Sequence, residues 1–163
     1  MNVEVKAAAA EDKSVLQRLM QFYIYDFSEF LPLEWSRVGV FEERLSERFF
    51  VEEGKWPYLV FVDGQLTGFV LVTAEPVLSE HVGGRCMKEF FIARRYRRRG
   101  IGAQAAAQVF ALFPGVWEVK VVRANPAARR FWGAAIGAYT AHDFCETERN
   151  DEVWDGWVFS FDK

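Results

Sequence analysis

The spacing of apolar positions sorts most of this chain into helices and strands. Val3 and Val5 flank a charged residue, so "VEV" at 3–5 reads as a short first strand. "DKSVLQRLMQFYIYDF" places Val15, Leu16, Leu19, Met20 and Tyr23 at helical spacing, and Pro32 closes that region. Phe41, Leu45 and Phe49 fall at i, i+4 and i+8, which predicts a second helix stopping near Gly54. "YLVFVDGQLTGFVLV" predicts a hairpin, because Asp63-Gly64 tolerates the positive φ angles of a tight turn between two β-rich runs. A loop, "HVGGR", leads into "CMKEFFIA", a strand rich in large apolar residues. From 100 to 113 apolar residues recur at 101, 105, 109 and 112, and Pro114-Gly115 ends that helix.

"VWEVKVV" alternates Trp117, Val119 and Val121 against Glu118 and Lys120, the signature of a half-buried strand. "NPAARRFWGAAIG" carries helix-start chemistry, with Asn125 as N-cap, Pro126 at the first helical position and Gly137 just past the end. Two last strands, near 138–147 and 153–161, flank the polar turn "ERND". No linker, repeat or low-complexity tract interrupts the series, so 1–163 reads as a single domain. Its fold class is α/β (α+β): one mixed sheet covered by helices.

Composition narrows the class. A chain of 163 residues that is 51% hydrophobic can bury a core without staples. At 26% charged it is not a disordered tail. Aromatics make up 17%, which suits either a broad hydrophobic groove or an ordinary core. The alanine run at 7–10 is too short for a signal segment and is followed by Glu11, Asp12 and Lys13. No apolar run approaches the roughly 18 residues of a membrane helix. The expectation is a soluble cytoplasmic protein with no membrane partner. Cys86 and Cys145 lie far apart with no CxxC pair, so no disulfide framework, zinc site or other metal is expected. His81 and His142 are isolated and read as structural or exposed.

Charge changes the picture more. Arg94, Arg95, Arg97, Arg98 and Arg99 are clustered, and removing them from a formal net charge of −3 leaves −8 on the rest. Nucleic-acid binders spread basic charge over a face or a whole domain. A local anion site on an acidic body fits better. In "YRRRGIGAQAAAQVF" a strand feeds an arginine-glycine loop and then a helix, whose first backbone N–H groups and dipole favour an anion. Gly100 and Gly102 let that anion approach the backbone, and a pyrophosphate is the natural guest. The other reading is a glycine turn with solvated arginines. Neither GxxxxGK[ST] nor GxGxxG is present, since position 105 is Ala105.

The stretch from Arg97 to Gly102 has the form [RQ]xxGxG, and after one helix and one strand comes "NPAARRFW". Together with "FFIARRYRRRGIG" and "NPAARRFWGAAIGAY", this resembles the GNAT superfamily of N-acetyltransferases, and the element order extends the resemblance over the whole chain. The resemblance implies a mostly antiparallel mixed sheet with a V-shaped split between the fourth and fifth strands, and acetyl-CoA as co-substrate in that split. The pyrophosphate loop would comprise Arg97, Arg98, Arg99, Gly100, Ile101, Gly102 and Ala103. The pantetheine arm would pair with backbone at Phe91, Ile92 and Ala93. Asn125, Phe131 and Trp132 would flank the thiol end.

Acetyl transfer needs a neutral amine, yet a lysine-type amine has a pKa of about 10.4 and is charged at neutral pH. Glu89, a lone carboxylate amid "EFFI" three residues before Ile92, is the candidate catalytic base. Its other reading is a salt-bridged carboxylate at a strand end. A backbone N–H near Ile92 would serve as oxyanion donor. Many GNAT members carry a tyrosine acid where this chain has Trp132, whose indole is no useful acid. Tyr139 could substitute, or be a structural tyrosine. Asp26 and Glu29 border the expected acceptor site, where they suit a cationic amine or form a solvated helix face. Three classes follow: an N-acetyltransferase acting on a small-molecule or peptide amine, a non-catalytic acyl-CoA sensor kept open by Trp132, and a nucleic-acid module disfavoured by the acidic remainder. A homodimer is compatible with each.

Overall fold

The computed structural model describes residues 1–163 apart from the side chain of Ser79. Its elements, in chain order, are β1 (Val3–Ala7), α1 (Lys13–Phe27), α2 (Leu45–Arg48), β2 (Lys55–Val62), β3 (Gln65–Thr73), β4 (Arg85–Ile92), α3 (Ile101–Phe110), β5 (Val116–Val122), α4 (Pro126–Thr140), β6 (Cys145–Asn150) and β7 (Asp155–Asp162). The seven strands form one sheet in the order β1-β2-β3-β4-β5-β7-β6. Every neighbouring pair is antiparallel except β4 and β5. Among the described residues no helix is long and apolar enough to cross a membrane.

The central strands of the sheet are covered on both faces, while the edge strand β6 stays exposed. Leu16 and Met20 of α1, with Phe49 just after α2, pack on Leu59, Phe69, Leu71 and Phe91. On the other face Ile101, Val109 and Phe110 of α3 and Trp132 and Ile136 of α4 pack on Val60, Val70, Trp117, Val119 and Phe159. The strand alternation of period two sends successive residues to these two cores. The β2–β3 hairpin closes as its sequence predicts, with Asp63 at φ 49° and Gly64 at φ 78°.

Several boundaries differ from the sequence reading. The second helix shrinks to the four residues of α2, because only Leu45 and Phe49 reach the core cluster from its helical stripe. Helix α4 runs through Gly137 to Thr140, and Ala141 closes it in the left-handed region at φ 55°. Gly137 lies inside the helix because His142 folds back over it: a Cβ there would stand 2.9 Å from His142 Nδ1. Accordingly, β6 starts at Cys145 and continues to Asn150, through most of "ERND". The turn itself is set by Asp151, whose Oδ1 accepts from Val153 N–H at 2.9 Å and Trp154 N–H at 3.0 Å.

The largest departure is Glu118. Strand alternation assigns it a polar face, yet it is 0% exposed. The β3–β4 connection covers it: Val77 and Leu78 N–H donate to its two oxygens at 2.5 and 2.9 Å, and His81 Nδ1 lies at 2.7 Å. His81 is therefore engaged rather than isolated. Hydrogen bonds to a charged group each contribute about 1.5–3 kcal/mol, and this cluster fixes one end of the β4–β5 contact.

Candidate active site

The parallel pairing of β4 and β5 is short. It joins Arg85 to Trp117, Cys86 to Glu118 and Met87 to Val119, and stops there. Beyond it β4 continues beside β3 as far as Ile92, and β5 beside β7 as far as Val122. The two strands have parted. A bulge accounts for the parting: Leu71 faces Glu89 and Val72 faces Met87, so Lys88 is the extra residue. Bulges bend and twist the strand that carries them. The gap opens into a cavity of about 500 Å³ bounded by both cores.

One wall is made by Asn125, Ala128, Phe131 and Trp132 of α4 and its cap, and the start of α3 abuts that wall through Gly102. Helix α3 begins at Gly100, a left-handed N-cap at φ 76° with no capping side chain. The first bond back within the helix is Gln104 N–H to Gly100 C=O at 3.1 Å. The N–H groups of Gly100, Ile101, Gly102 and Ala103 thus have no intrahelical acceptor. Arg98, at φ 60°, supplies a second left-handed turn in the same loop. Such alternation converges backbone N–H groups on an anion.

The five arginines do not act as one patch. Asp26 of α1 binds Arg94, at 2.7 Å, and Arg97. Arg97 Nε also donates to Ile92 C=O at 2.6 Å. Arg95, Arg98 and Arg99 have no carboxylate partner among the described residues and are exposed. Burial pushes the Asp26 carboxyl up, but Arg97 and Arg94 outweigh it and hold it below the usual range. Asp26 is thus a strut under the arginine loop rather than a free acceptor-site charge.

Along the β4 edge, Ala93 N–H donates to Thr67 C=O at 2.8 Å. Alternation then turns the amides of Phe91 and Ala93 toward β3 and those of Phe90 and Ile92 toward the gap. The Ile92 carbonyl is already taken by Arg97, leaving its N–H on the open edge. Deeper in, Asn125 caps α4 by accepting from Ala128 N–H at 2.9 Å. Phe131 and Trp132 meet Phe90 with centroids 6.0 and 5.0 Å apart. Gly102 sits under this cluster, and a Cβ there would stand 3.1 Å from the Phe131 ring. Trp132 is only 6% exposed. Tyr139 packs on Phe110 and Phe161 and does not line the cavity.

The opposite wall belongs to α1. Glu89 lines the cavity, and Tyr23 of α1 donates its hydroxyl to Glu89 Oε2. Burial pushes the Glu89 carboxyl up, while the Tyr23 hydrogen bond, Lys88 and Lys120 pull in the opposite direction without cancelling it. The Tyr23 hydroxyl is itself pushed well up by burial and by Glu89, so it stays a donor. Phe27, Leu31 and Leu33 extend the wall, and Trp154 and Lys120 complete it from the β5–β7 side. Sequence reasoning missed Tyr23, Lys88, Lys120 and Trp154. Tyr23 was absorbed in the helical stripe. Lys120 had a signal: β5 is an interior strand, where both faces are covered and a charge needs a reason.

These residues fit acetyl-CoA. An uncapped helix start with three unpaired arginines suits a pyrophosphate, a free strand-edge amide suits a pantetheine arm, and the aromatic cluster suits the thiol end.

Comparisons with known proteins bear on the family and the fold. The model of the Acetyltransferase (GNAT) family matches residues 16–138. An acetyltransferase from Thermus thermophilus superposes with a TM-score of 0.67 at 15% identity, covering 100% of this chain and 98% of that one. PaiA N-acetyltransferase from Thermoplasma acidophilum, solved in complex with coenzyme A, gives 0.62 at 12% identity, covering 100% of each. A chimera of the Vibrio cholerae spermidine N-acetyltransferase SpeG gives 0.59 at 14% identity, covering 98% of this chain and 94% of that one. Among curated proteins compared by sequence, none matches.

Proposed function

The chain belongs to the GNAT acetyltransferase family, and from that premise we propose that it transfers an acetyl group from acetyl-CoA to the primary amine of a small molecule or peptide by direct attack. The observation that carries this reading is an uncapped helix start that abuts, through Gly102 and Phe131, the cavity lined by the half-buried carboxylate of Glu89. Acetyl-CoA supplies the acetyl group as a thioester: a C–N bond forms, the C–S bond breaks, and the ammonium's two lost protons end on the thiol and in solvent.

The chain's own groups divide the work. The amides of Gly100 to Ala103 with Arg98 and Arg99 hold the pyrophosphate, the open edge of β4 at Ile92 takes the pantetheine arm because the amides of Phe91 and Ala93 are turned to β3, and Asn125, Phe131 and Trp132 border its end. The other amide on that open edge, Phe90 N–H beside Phe131 and Trp132, is the donor for the acyl oxygen. Glu89 removes the amine proton, and its raised pKa brings it closer to the amine it must deprotonate. Tyr23 holds Glu89 Oε2 and leaves Oε1 for the acceptor. Trp132 is not a useful acid, so the thiolate takes its proton from water; a thiol pKa of about 8.5 makes that exit feasible.

Two measurements test the proposal. Calorimetric titration with acetyl-CoA should show saturable binding, and an amine panel should release free CoA thiol. Binding with no release from any amine would favour the acyl-CoA sensor that Trp132 keeps open. Absence of binding would remove both readings.

A further inference from the structure

The cavity's acceptor half carries two ammonium groups that make no direct ion pair, and this bears on what enters it. Both carboxylates that line the cavity are committed. Glu43 accepts from Ser46 N–H at 3.0 Å and Ser46 Oγ–H at 2.5 Å, and Glu89 holds the Tyr23 hydroxyl. The two ammonium groups on the lining, Lys88 and Lys120, have no ion-pair partner among the described residues. Lys120 is half-buried, and its ammonium rests 4.6 Å from the centroid of the Trp154 ring. Strand alternation along β5 turns Lys120 away from Trp117, Val119 and Val121, onto the face that Glu89 shares with α1. Trp154 Nε1, also on this wall, finds no acceptor either.

An ammonium without a direct ion pair in a partly dry cleft is costly, even with Glu89 and Glu118 attracting it from further off. Burial pushes the Lys120 ammonium down from its usual value, the expected response. An anionic group on the ligand would relieve that cost, whereas a polyamine would bring further positive charge beside it. The rest of the wall is apolar, from Ile24, Phe27, Leu31 and Leu33. Resting on the acetyltransferase reading above, we propose that the acceptor is an amino acid with an apolar or aromatic side chain. Its amine meets Glu89, its carboxylate meets Lys120 with Lys88 behind it, and its side chain lies on the α1 wall. The bond changes are those already given for acetyl transfer, and the carboxylate takes no part in them.

The experiment compares phenylalanine, phenethylamine and spermidine as acceptors, following thiol release from acetyl-CoA. Phenylalanine should exceed phenethylamine, the same amine without its carboxylate, at least tenfold in kcat/KM, and exceed spermidine by more. Calorimetry in the presence of CoA should show the same order in binding. Lys120→Met should close the gap between phenylalanine and phenethylamine, and Lys120→Arg should retain it. Acetyl-CoA affinity measured in Lys120→Met separates a lysine that serves the acceptor from one that serves the cofactor. A loss there as large as the loss for phenylalanine overturns the proposal. Preference for phenethylamine or spermidine also overturns it, while leaving acetyl transfer intact. No thiol release from phenylalanine, with acetyl-CoA bound, overturns the acceptor assignment, and the transferase reading falls with it only if the wider amine panel also releases none.

Discussion

On the cofactor side of the cleft, the groups proposed to hold acetyl-CoA follow one another in the chain, from Arg98 to Ala103 and from Asn125 to Trp132. On the α1 wall the lining groups come from positions 23, 88, 89, 120 and 154, which only the folded sheet brings together. The first wall works mostly through backbone amides and aromatic rings, which tolerate most side-chain changes nearby. The second works through titratable side chains that set one another's protonation. The cofactor wall should therefore respond to substitutions by losing affinity, and the acceptor wall by losing rate and changing pH dependence.

The largest expected effect is on the acceptor wall. Glu89→Gln keeps shape and removes the base, so kcat should fall by about 10²–10⁴-fold. Because burial raises the Glu89 pKa, its ionised form costs stability, fully so above the raised value and not at all well below the ordinary carboxylate pKa of about 4.3. The same variant should thus unfold at a higher temperature near pH 8, and the gain should vanish near pH 3. Unchanged kcat would make Glu89 a structural residue.

On the cofactor wall, Trp132→Ala should lower stability by about 3–5 kcal/mol through the cavity it leaves, and should loosen acetyl-CoA as well. Trp132→Phe keeps a ring against Phe90 and should cost clearly less on both counts. Denaturant unfolding with parallel calorimetry reads the two losses. If the phenylalanine variant loses as much as the alanine one, the indole N–H matters more than its volume.

Smaller effects sharpen the contrast. Tyr23 is a positioning residue whose hydroxyl favours the ionised form of Glu89. Tyr23→Phe should raise the Glu89 pKa further and move the acid limb of kcat/KM to higher pH, with acetyl-CoA affinity unmoved. A shift to lower pH would reverse the assigned sign. Asp26→Asn should cost about 1 kcal/mol or less, since Arg94 and Arg97 are largely exposed. Asp26 is held below its unfolded value of about 3.9, so its contribution is present above that pH and lost as the pH falls through the folded value. The difference in stability between wild type and Asp26→Asn should close in strong acid. A difference constant down to pH 2 would mean the loss is packing rather than charge.

The same contrast explains what could be read from the sequence. The element order was legible, because strand and helix periodicities and the cap at Asn125 are local signals, whereas the split between the fourth and fifth strands came only from the family resemblance. The arginine-glycine loop was legible for the same reason. The acceptor wall was not. Tyr23 and Glu89 are 66 positions apart, and a tyrosine at helical spacing looks like core. Asp26 looked available to an amine because nothing in its neighbourhood announces Arg94 and Arg97. Glu118 followed strand alternation faithfully, and only the covering β3–β4 connection turned its polar face into an interior one. Gly137 was misread because the reason for a glycine there, the His142 ring, lies beyond the helix end.

The division of labour between the walls is tested most directly by acetyl-CoA titrated calorimetrically into wild type, Glu89→Gln and Gly102→Val. A side chain at Gly102 presses on Phe131 and crowds the helix start, so its affinity should fall at least tenfold with the fold retained. Glu89→Gln should bind as wild type does. Wild-type affinity in folded Gly102→Val, or an equal loss in both variants, would contradict the account.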